Sequence, residues 1–512
     1  MIEFRNNKIK LSFKDDERMK KKQVLTMTMV VMTAVISGKY GVLSVNAEER
    51  PTITWYAVGN LCDSEDRISE AGTKLLNDAG IDVDFELKWL GWDNYDQTIS
   101  NMIVSGEEFD IFNRDIATIN NYAINGGIYE ITEEDLTNKL SSVVDAMGND
   151  IIDACRYNGA LYAAPVAHEF AQWRGVYYNT KIAEDCGIDM STVKSIDDLD
   201  AVFAKVKEMA PDIYPVDTVN SENILMVMAD LDDINRSSDL CMGMDISGDV
   251  SGVFNPYENE KVVAALKKIR EWNEEGYVFT DTTADASALF WNEGQIFCRI
   301  ARMKPGTVEQ YSVGNCKFDK VLFDENAVRT FCDFPGGWGN AISATSDNPE
   351  AAMQVLNFAY GNKEFIDLLT FGEKDVDYTS DENGVITVGQ SGYGAQVYGS
   401  ACWQMGNHYI NSVTDVQVAA GLSDIGNVLK DFNNNATSTE HTGFYFNPSE
   451  YSAEVSAIAS TCLEYKVTVL SGEADVDEIL AEFNEALAAN GLQTLLDAAN
   501  NQYQEFLETK EK

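Results

Sequence analysis

Tryptophans next to hydrogen-bonding side chains are the residues of this sequence that could do chemistry. His168, Glu169 and Trp173 lie close together between two predicted strands. Trp338 lies in a glycine-rich segment, and Trp403 is followed by a glutamine. A tryptophan ring offers a flat apolar surface, and the polar neighbours offer hydrogen bonds. This combination favours a site that binds a small polar molecule.

Motifs for catalysis are missing from the sequence. It contains no G-x-S-x-G, no P-loop and no dinucleotide fingerprint, and His168-Glu169 lacks the second histidine of H-E-x-x-H. The pairs Asp232-Asp233 and Asp375-Val376-Asp377 lack the 12-residue calcium loop, so a solvated acidic surface is preferred to a structural calcium site. We therefore assign no catalytic residue, metal ligand or cofactor, although a carboxylate pair for glycoside hydrolysis stays open.

The charge of the chain narrows the class of ligand. Among 512 residues, 83 Asp and Glu stand against 38 Lys and Arg, for a formal net charge of -45. Such a surface repels nucleic acid and anionic membranes. It suits a neutral or cationic ligand.

The N-terminal region has the pattern of a secretory signal peptide. Lysines at 20–22 precede an apolar run from Val24 to Ser37, and Val45-Asn46-Ala47 is a small-residue cleavage pattern. We expect cleavage after Ala47 and interpret residues 1–18 as an extension upstream of the true start. The apolar run is short for a membrane span, and an uncleaved anchor is the alternative. The first cysteine after it is Cys62, so no lipid anchor is predicted.

The nine cysteines lie far apart, without a C-x-x-C. Cys155 and Cys298 are surrounded by apolar residues. We favour free, buried thiols over a disulfide framework.

The residues after the leader predict a β-α-β-α-β unit. Strands are predicted at 52–58, 81–89 and 109–112, and helices at 64–80 and 94–105. This order predicts a parallel sheet, whose ligands bind beyond the carboxyl ends of the strands. Asn60 follows the first strand, and Asn113 and Arg114 follow the third. Tyr56 alternates with Trp55, and one of the two faces the ligand.

A second α/β unit follows a crossing of the chain at about residues 158–180. Its predicted strand at 295–300 ends just before Arg302. The segment Gly336-Gly337-Trp338-Gly339-Asn340 has the composition of a return crossing. Beyond Pro448 the sequence predicts helices to its end.

The order and spacing of several segments resemble the extracellular solute-binding proteins of ABC importers, in the clade that includes maltodextrin binders. The last third is similar to a Firmicute lipoprotein subgroup, from which the sequence departs by lacking the lipobox cysteine. The segments that carry the resemblance are 95–111, Gly159 to Pro165 with Tyr178-Asn179, Gly294 to Gly306, Ile342 to Ala352, Trp403 to Asn407 and Gly443 to Pro448.

The resemblance implies an α/β, two-lobed periplasmic-binding-protein-like fold of type II, with lobes joined by multiple crossovers. Residues 1–47 are then the leader, 48–164 and 339–400 form the first lobe, and 165–338 form the second. Residues 401–512 are a mainly helical region that packs on the second lobe and the hinge. The lobes would close on a solute by hinge bending.

The implied function is capture of a carbohydrate, in particular an oligosaccharide, for an ABC permease by an exported monomer without enzymatic activity. A peptide or another small solute, and a secreted carbohydrate-active enzyme, are the alternatives. The ligand-binding residues predicted from the residue patterns and the resemblance are Tyr56, Asn60, Asn113, Arg114, His168, Glu169, Trp173, Arg302, Trp338, Trp403 and Gln404.

Overall fold

Two β-sheets, each with its own hydrophobic core, organise the chain in this computed structural model. The structure describes residues 50–510 except 222–223, 235–239, 282–284, 309–315, 327 and 330–336. The predicted signal peptide within residues 1–47 lies outside these described residues. None of the helices among them has the length and apolarity that crossing a bilayer requires.

The strands are short and spread over most of the described chain. They are β1 (Thr52–Val58), β2 (Asp84–Leu90), β3 (Ile111–Asp115), β4 (Ala164–Pro165), β5 (Trp173–Asn179), β6 (Tyr214–Val216), β7 (Leu231–Asp233), β8 (Gly243–Asp245), β9 (Ile296–Met303), β10 (Phe318–Leu322), β11 (Val328–Arg329), β12 (Trp338–Ile342), β13 (Tyr378–Ser380), β14 (Ile386–Val388) and β15 (Thr437–Ser438).

Helices cover the sheets and make up the C-terminal region. They are α1 (Glu65–Asp78), α2 (Tyr95–Ser105), α3 (Ile116–Ile124), α4 (Glu133–Asn138), α5 (Ser141–Met147), α6 (Asn149–Ala154), α7 (Thr180–Cys186), α8 (Leu199–Met209), α9 (Ile224–Ala229), α10 (Glu260–Glu274), α11 (Ala286–Ala288), α12 (Pro349–Gly361), α13 (Lys363–Phe371), α14 (Tyr393–Gln404), α15 (Asp415–Ala419), α16 (Ile425–Asn434), α17 (Ser452–Ser471), α18 (Val476–Ala489) and α19 (Leu492–Lys510).

The first sheet has the strand order β2-β1-β3-β12-β4. Strand β1 pairs in parallel with both β2 and β3, so the parallel β-α-β-α-β unit predicted from the sequence is confirmed. The side chains of Ile53, Trp55 and Ala57 are fully buried, as the alternation along a strand requires. Strand β12, which arrives from the second sheet, pairs antiparallel with β3. The first sheet is therefore mixed.

Two strands run further than their local sequence predicts. Strand β3 extends through Asn113 and Arg114 to Asp115, so the prediction that Asn113 and Arg114 follow the strand is wrong. Their backbone pairs with β12, which supplies the partners that keep the strand extended. Likewise β9 continues to Met303, because Arg302 pairs with Arg174 of β5.

The second sheet has the order β10-β5-β9-β6 and lies against a separate core. Strand β6 runs parallel to β9, and β5 runs antiparallel to it. Buried residues of the C-terminal helices, including Ile458, Leu480 and Leu495, belong to this second core. The predicted helical C-terminal region is confirmed, and it packs beside the second sheet.

A disulfide joins Cys241, just before β8, to Cys462 of α17. This corrects the expectation of free thiols for these two cysteines. Packing of the C-terminal helices on the second core brings them together across 221 residues of sequence, which no local spacing could reveal. Cys155, Cys186 and Cys298 are free and buried, as expected.

Candidate functional site

Three tryptophans from separate elements meet at one edge of the first sheet. Trp92 lies in the turn after β2, Trp338 begins β12, and Trp403 lies near the end of α14. The rings of Trp92 and Trp403 are nearly parallel, with centroids 5.9 Å apart. Trp338 meets the edge of both rings, at 6.3 Å from Trp92 and 4.7 Å from Trp403. Trp92 is 52% exposed, so the cluster presents an aromatic surface to solvent.

The guanidinium of Arg114 lies over the ring of Trp338, 5.4 Å from its centroid. Its Nε lies 2.8 Å from Oδ1 of Asp96 on α2, and its Nη1 lies 3.2 Å from Oδ2 of Asp115. Two carboxylates therefore hold the cation in place beside the rings. We call this surface the tryptophan lip; it consists of Trp92, Asp96, Arg114, Asp115, Trp338 and Trp403.

A buried amide network fixes the tryptophan lip to the sheet. Gln404 donates from Nε2 to the carbonyl of Val58 at 2.8 Å and accepts from the Val58 amide at 3.4 Å, which ties α14 to β1. Asn340 donates to the carbonyl of Gln404 at 2.6 Å and to Oδ1 of Asn113 at 3.2 Å. Asn113 and Gln404 have no exposed surface in this structure. They position the neighbouring aromatic residues, and contact of either with a ligand stays a prediction.

The crossing segment, residues 166–172, joins the two sheets next to this lip. The Val166 amide donates to the Trp338 carbonyl at 2.9 Å, and Ala167 pairs with the segment that follows Trp403. Fewer than ten residues separate β4 from β5, so the two sheets meet within about 30 Å along this segment. The crossing thus brings an edge of the second sheet towards the tryptophan lip.

His168 and Glu169, both predicted ligand contacts, lie in the crossing segment. Oε1 of Glu169 is 2.6 Å from Nζ of Lys304, the residue after β9, and Oε2 is 3.5 Å from Nδ1 of His168. Burial opposes ionisation of Glu169, but the charge of Lys304 and the neighbouring His168 outweigh it and hold its pKa well below the usual range. Burial, together with the nearby His168, lowers the pKa of His408 to about 3. The segment is therefore an ion-paired joint between the sheets.

Charged side chains of the second sheet gather where the chain enters it. Arg174 of β5 and Arg302 of β9 are paired in register, and Arg174 forms an ion pair with Asp230. Nη2 of Arg302 lies 3.5 Å from Oδ1 of the fully buried Asp232, whose Oδ2 is 3.5 Å from Nε2 of His441. We call this cluster the charged lip; it consists of Arg174, Asp230, Asp232, Asp233, Arg302 and His441.

Burial and the neighbouring Arg302 lower the pKa of Arg174, which shows how tightly the two cations are packed. The acidic partners make this arrangement stable. Guanidinium and carboxylate groups together offer donors and acceptors at fixed positions, which suits a ligand with many hydroxyl groups.

The remaining predicted residues lie around these two lips. Tyr56 is half-buried and its ring meets Phe109, towards the amino end of β3. Asn60 is exposed and donates to the carbonyl of Gln396 at 3.2 Å. Trp173 begins β5 and packs edge-on against Phe432, at 4.6 Å between centroids. The structure brings Arg114, Trp338 and Trp403 together, and places Arg302 on the charged lip.

Eight of the twelve lip residues are absent from the predicted ligand-binding set, namely Trp92, Asp96, Asp115, Arg174, Asp230, Asp232, Asp233 and His441. Trp92 could have been found, because it follows β2 as Asn60 follows β1, and the carboxyl ends of parallel strands share an edge. No local signal marks His441, which packing brings to Asp232 from the other end of the chain.

The described residues contain no group of three His, Cys, Asp or Glu side chains that could hold a metal ion. The carboxylate of Asp377, once a calcium candidate, accepts two hydrogen bonds from Arg67, each of 2.9 Å. A groove of about 590 Å³ opens between α4, α5 and α6. No residue of either lip lines it.

Comparison with known proteins agrees with this geometry. The family model described as bacterial extracellular solute-binding protein matches residues 73–373, and a domain of unknown function (DUF3502) matches residues 440–508. A carbohydrate ABC transporter substrate-binding protein of Streptococcus pneumoniae serotype 4 is 26% identical, over 96% of this chain and 99% of the relative.

Solved structures with the same fold include other binding proteins. The N-glycan transport solute-binding protein NgtS of Streptococcus pneumoniae superposes with a TM-score of 0.75 at 24% identity, over 90% of this chain and all of that chain. Its complex with Man5GlcNAc gives a TM-score of 0.66 at 24% identity, over 90% of this chain and 99% of that one. An HMO-binding, ABC-transporter-associated solute-binding protein of Bifidobacterium longum infantis gives a TM-score of 0.63 at 13% identity, over 90% of this chain and all of that one. This likeness shows the predicted two-lobed, type II binding-protein fold.

Proposed function

We propose that this chain, which belongs to the family of bacterial extracellular solute-binding proteins, captures a carbohydrate and delivers it to the permease of an ABC importer. The observation that carries the proposal is the placement of the tryptophan lip and the charged lip where the chain crosses between the sheets. We favour an oligosaccharide over a single sugar, because the two lips belong to different sheets and offer contacts to more than one sugar unit.

The two lips supply the two halves of sugar recognition. The C–H face of a sugar ring is apolar and stacks on indole, for which Trp92 and Trp403 are available. The hydroxyl groups need donors and acceptors in fixed directions, which Arg302 and the partly exposed carboxylate of Asp230 offer. Arg114 and Trp338 complete the first half, and His168 and Glu169 lie between the halves.

The names of similar proteins support a carbohydrate ligand. The S. pneumoniae relative is called a carbohydrate ABC transporter substrate-binding protein, and NgtS was crystallised with Man1GlcNAc and with Man5GlcNAc. We extend these ligand classes to this chain as part of the proposal.

Ligand capture involves closure of two lobes about the crossings. We assign residues 48–164 and 339–400 to the first lobe, 165–338 to the second, and 401–512 to the region that packs on the second lobe and hinge. A ligand that contacts both lips binds the closed form better and shifts the population towards it. The permease would then recognise the closed form.

The protein acts in this proposal as an exported monomer that releases its ligand unchanged. Residues 1–47 direct export, as their signal-peptide pattern predicts. The permease subunits at the membrane are its partners.

A binding screen with a turnover control tests the proposal. The purified mature chain is heated with maltopentaose, mannopentaose, lacto-N-tetraose, peptides and polyamines, and each mixture is then analysed by mass spectrometry. We expect one oligosaccharide class to raise the melting temperature and to be recovered intact. Stabilisation by peptides alone would indicate another solute class, and cleavage of the glycan would indicate an enzyme.

A further inference from the structure

We infer that the site selects neutral glycans and discriminates against glycans that carry a carboxylate, such as uronic acid or sialic acid residues. The inference rests on the proposed function and specifies its substrate class. It follows from how the cations of the two lips and the crossing are paired, which the overall charge of the chain does not determine.

The cation of the tryptophan lip is already occupied. Arg114 contacts Asp96 at 2.8 Å and Asp115 at 3.2 Å, and its flat face lies over Trp338. Three of its five N–H donors face these carboxylates, so a ligand carboxylate could reach only the remaining two and would lie beside Asp96 and Asp115. A sugar hydroxyl is not repelled in this way, since each carboxylate keeps lone pairs that accept from hydroxyl groups.

The cations on the other side are held in the same way. Arg174 pairs with Asp230, and Arg302 lies within 3.5 Å of Asp232 and 3.7 Å of Asp233. In the crossing, Lys304 contacts Glu169 at 2.6 Å. Asp232 and Asp233 are buried at 0% and 2% exposure, so solvent screens their charge weakly.

Acidic groups therefore outnumber basic ones around the ligand position. The lips and the crossing hold six carboxylates against four Lys and Arg cations. The carboxylates are those of Asp96, Asp115, Asp230, Asp232, Asp233 and Glu169, and the cations are Arg114, Arg174, Arg302 and Lys304; His168 and His441 lie beside Glu169 and Asp232. A ligand carboxylate would lose part of its hydration and meet a net negative surface. Like charges at an interface weaken binding to the wrong partner, which is a means of specificity.

The test compares two ligands that differ by one charge. The neutral probe is whichever of maltopentaose, mannopentaose and lacto-N-tetraose stabilises the protein. The acidic probe is the same oligosaccharide with one C6 hydroxymethyl group oxidised to a carboxylate. Isothermal titration calorimetry at neutral pH and physiological salt gives the Kd of each. We expect the acidic probe to bind at least about tenfold more weakly, which corresponds to about 1.4 kcal/mol.

Two variants identify the cause of this preference. Asp96→Asn frees one side of Arg114 and should reduce the ratio of the two Kd values, acidic to neutral probe, several-fold. Asp78→Asn is the matched control, because Asp78 is an exposed partner of Lys74 at the end of α1 that leads away from the lips. This control changes the net charge by the same amount and should leave the ratio of the Kd values unchanged.

The outcomes separate the inference from the proposed function. Equal affinity for the two probes, or an equal effect of both variants on the ratio of the two Kd values, overturns the inference alone. Failure of every neutral and acidic probe to bind overturns the proposed function and the inference with it.

Discussion

Replacing Trp92 by alanine should weaken glycan binding far more than it weakens the fold. Trp92 is 52% exposed and contacts only the edges and faces of Trp338 and Trp403 among the rings. A tryptophan side chain has up to about 250 Å² of surface, so roughly 125 Å² is available for a sugar to cover. At about 25 cal/mol per Å², full coverage is worth about 3 kcal/mol.

Partial coverage reduces this figure, so we expect a loss of about 1.5 to 3 kcal/mol, which is roughly a 10- to 100-fold rise in Kd. Calorimetric titration with the neutral glycan measures it. Trp92→Phe keeps a flat ring and should lose less. Tyr214→Ala is the control, because Tyr214 is a 36% exposed aromatic residue of the second sheet that belongs to neither lip, and it should leave the Kd of the glycan unchanged. If Trp92→Ala bound the glycan with the same Kd as the wild type, the tryptophan lip would not be the binding surface.

Three further predictions concern stability. Cys462→Ser should lower the melting temperature, because its bridge to Cys241 closes a loop of 221 residues and such a crosslink is worth about 5 kcal/mol in the chain-entropy model; a reductant should affect the wild type but not the variant. Burial lowers the pKa of His408 to about 3, so its contribution to stability is complete above about pH 6.5 and is lost as the pH falls, by about 2 kcal/mol at about pH 5. A melting-temperature profile against pH should therefore be flatter for His408→Asn, and an unchanged slope would contradict the assignment. Arg67→Met removes the two hydrogen bonds that Arg67 donates to the buried carboxylate of Asp377 and leaves those from the backbone amides of Glu373 and Tyr393. It should lower the free energy of unfolding by about 3 kcal/mol in urea denaturation, and Arg67→Lys should lower it less.

Local patterns were sufficient where an element is defined by its own residues. The alternation from Val83 to Trp89 and the helical spacing of Ile68 and Leu76 each predict an element that the structure confirms. Both signals arise because one side of the element is buried against the same core.

Features that depend on distant partners could not be predicted in this way. The end of β3 is set by pairing with β12, which returns from the second sheet. The bridge between Cys241 and Cys462 and the contact of His441 with Asp232 need the C-terminal helices in place. The side-chain direction of Asn113 also depends on Asn340, so its burial was not evident from its position after apolar residues.

For the candidate site, residue type and strand order predicted part of the tryptophan lip and little of the charged lip. Arg114, Trp338 and Trp403 come together as members of one cluster. Their acidic partners were not predicted, because a chain with 83 acidic residues gives no means of singling out Asp96 as a partner of Arg114, and Asp232 stood out only as part of a rejected calcium site. The pairing of charges is visible only in three dimensions.

A crystal structure of the protein with the neutral oligosaccharide that stabilises it most would test the central proposal most directly. We predict a sugar ring stacked on Trp92 or Trp403, with carbon atoms within about 4 Å of the indole, and hydroxyl groups bonded to Arg302 or Asp230. A sugar bound instead in the groove between α4, α5 and α6, or on one lip with no contact to the other, would contradict it.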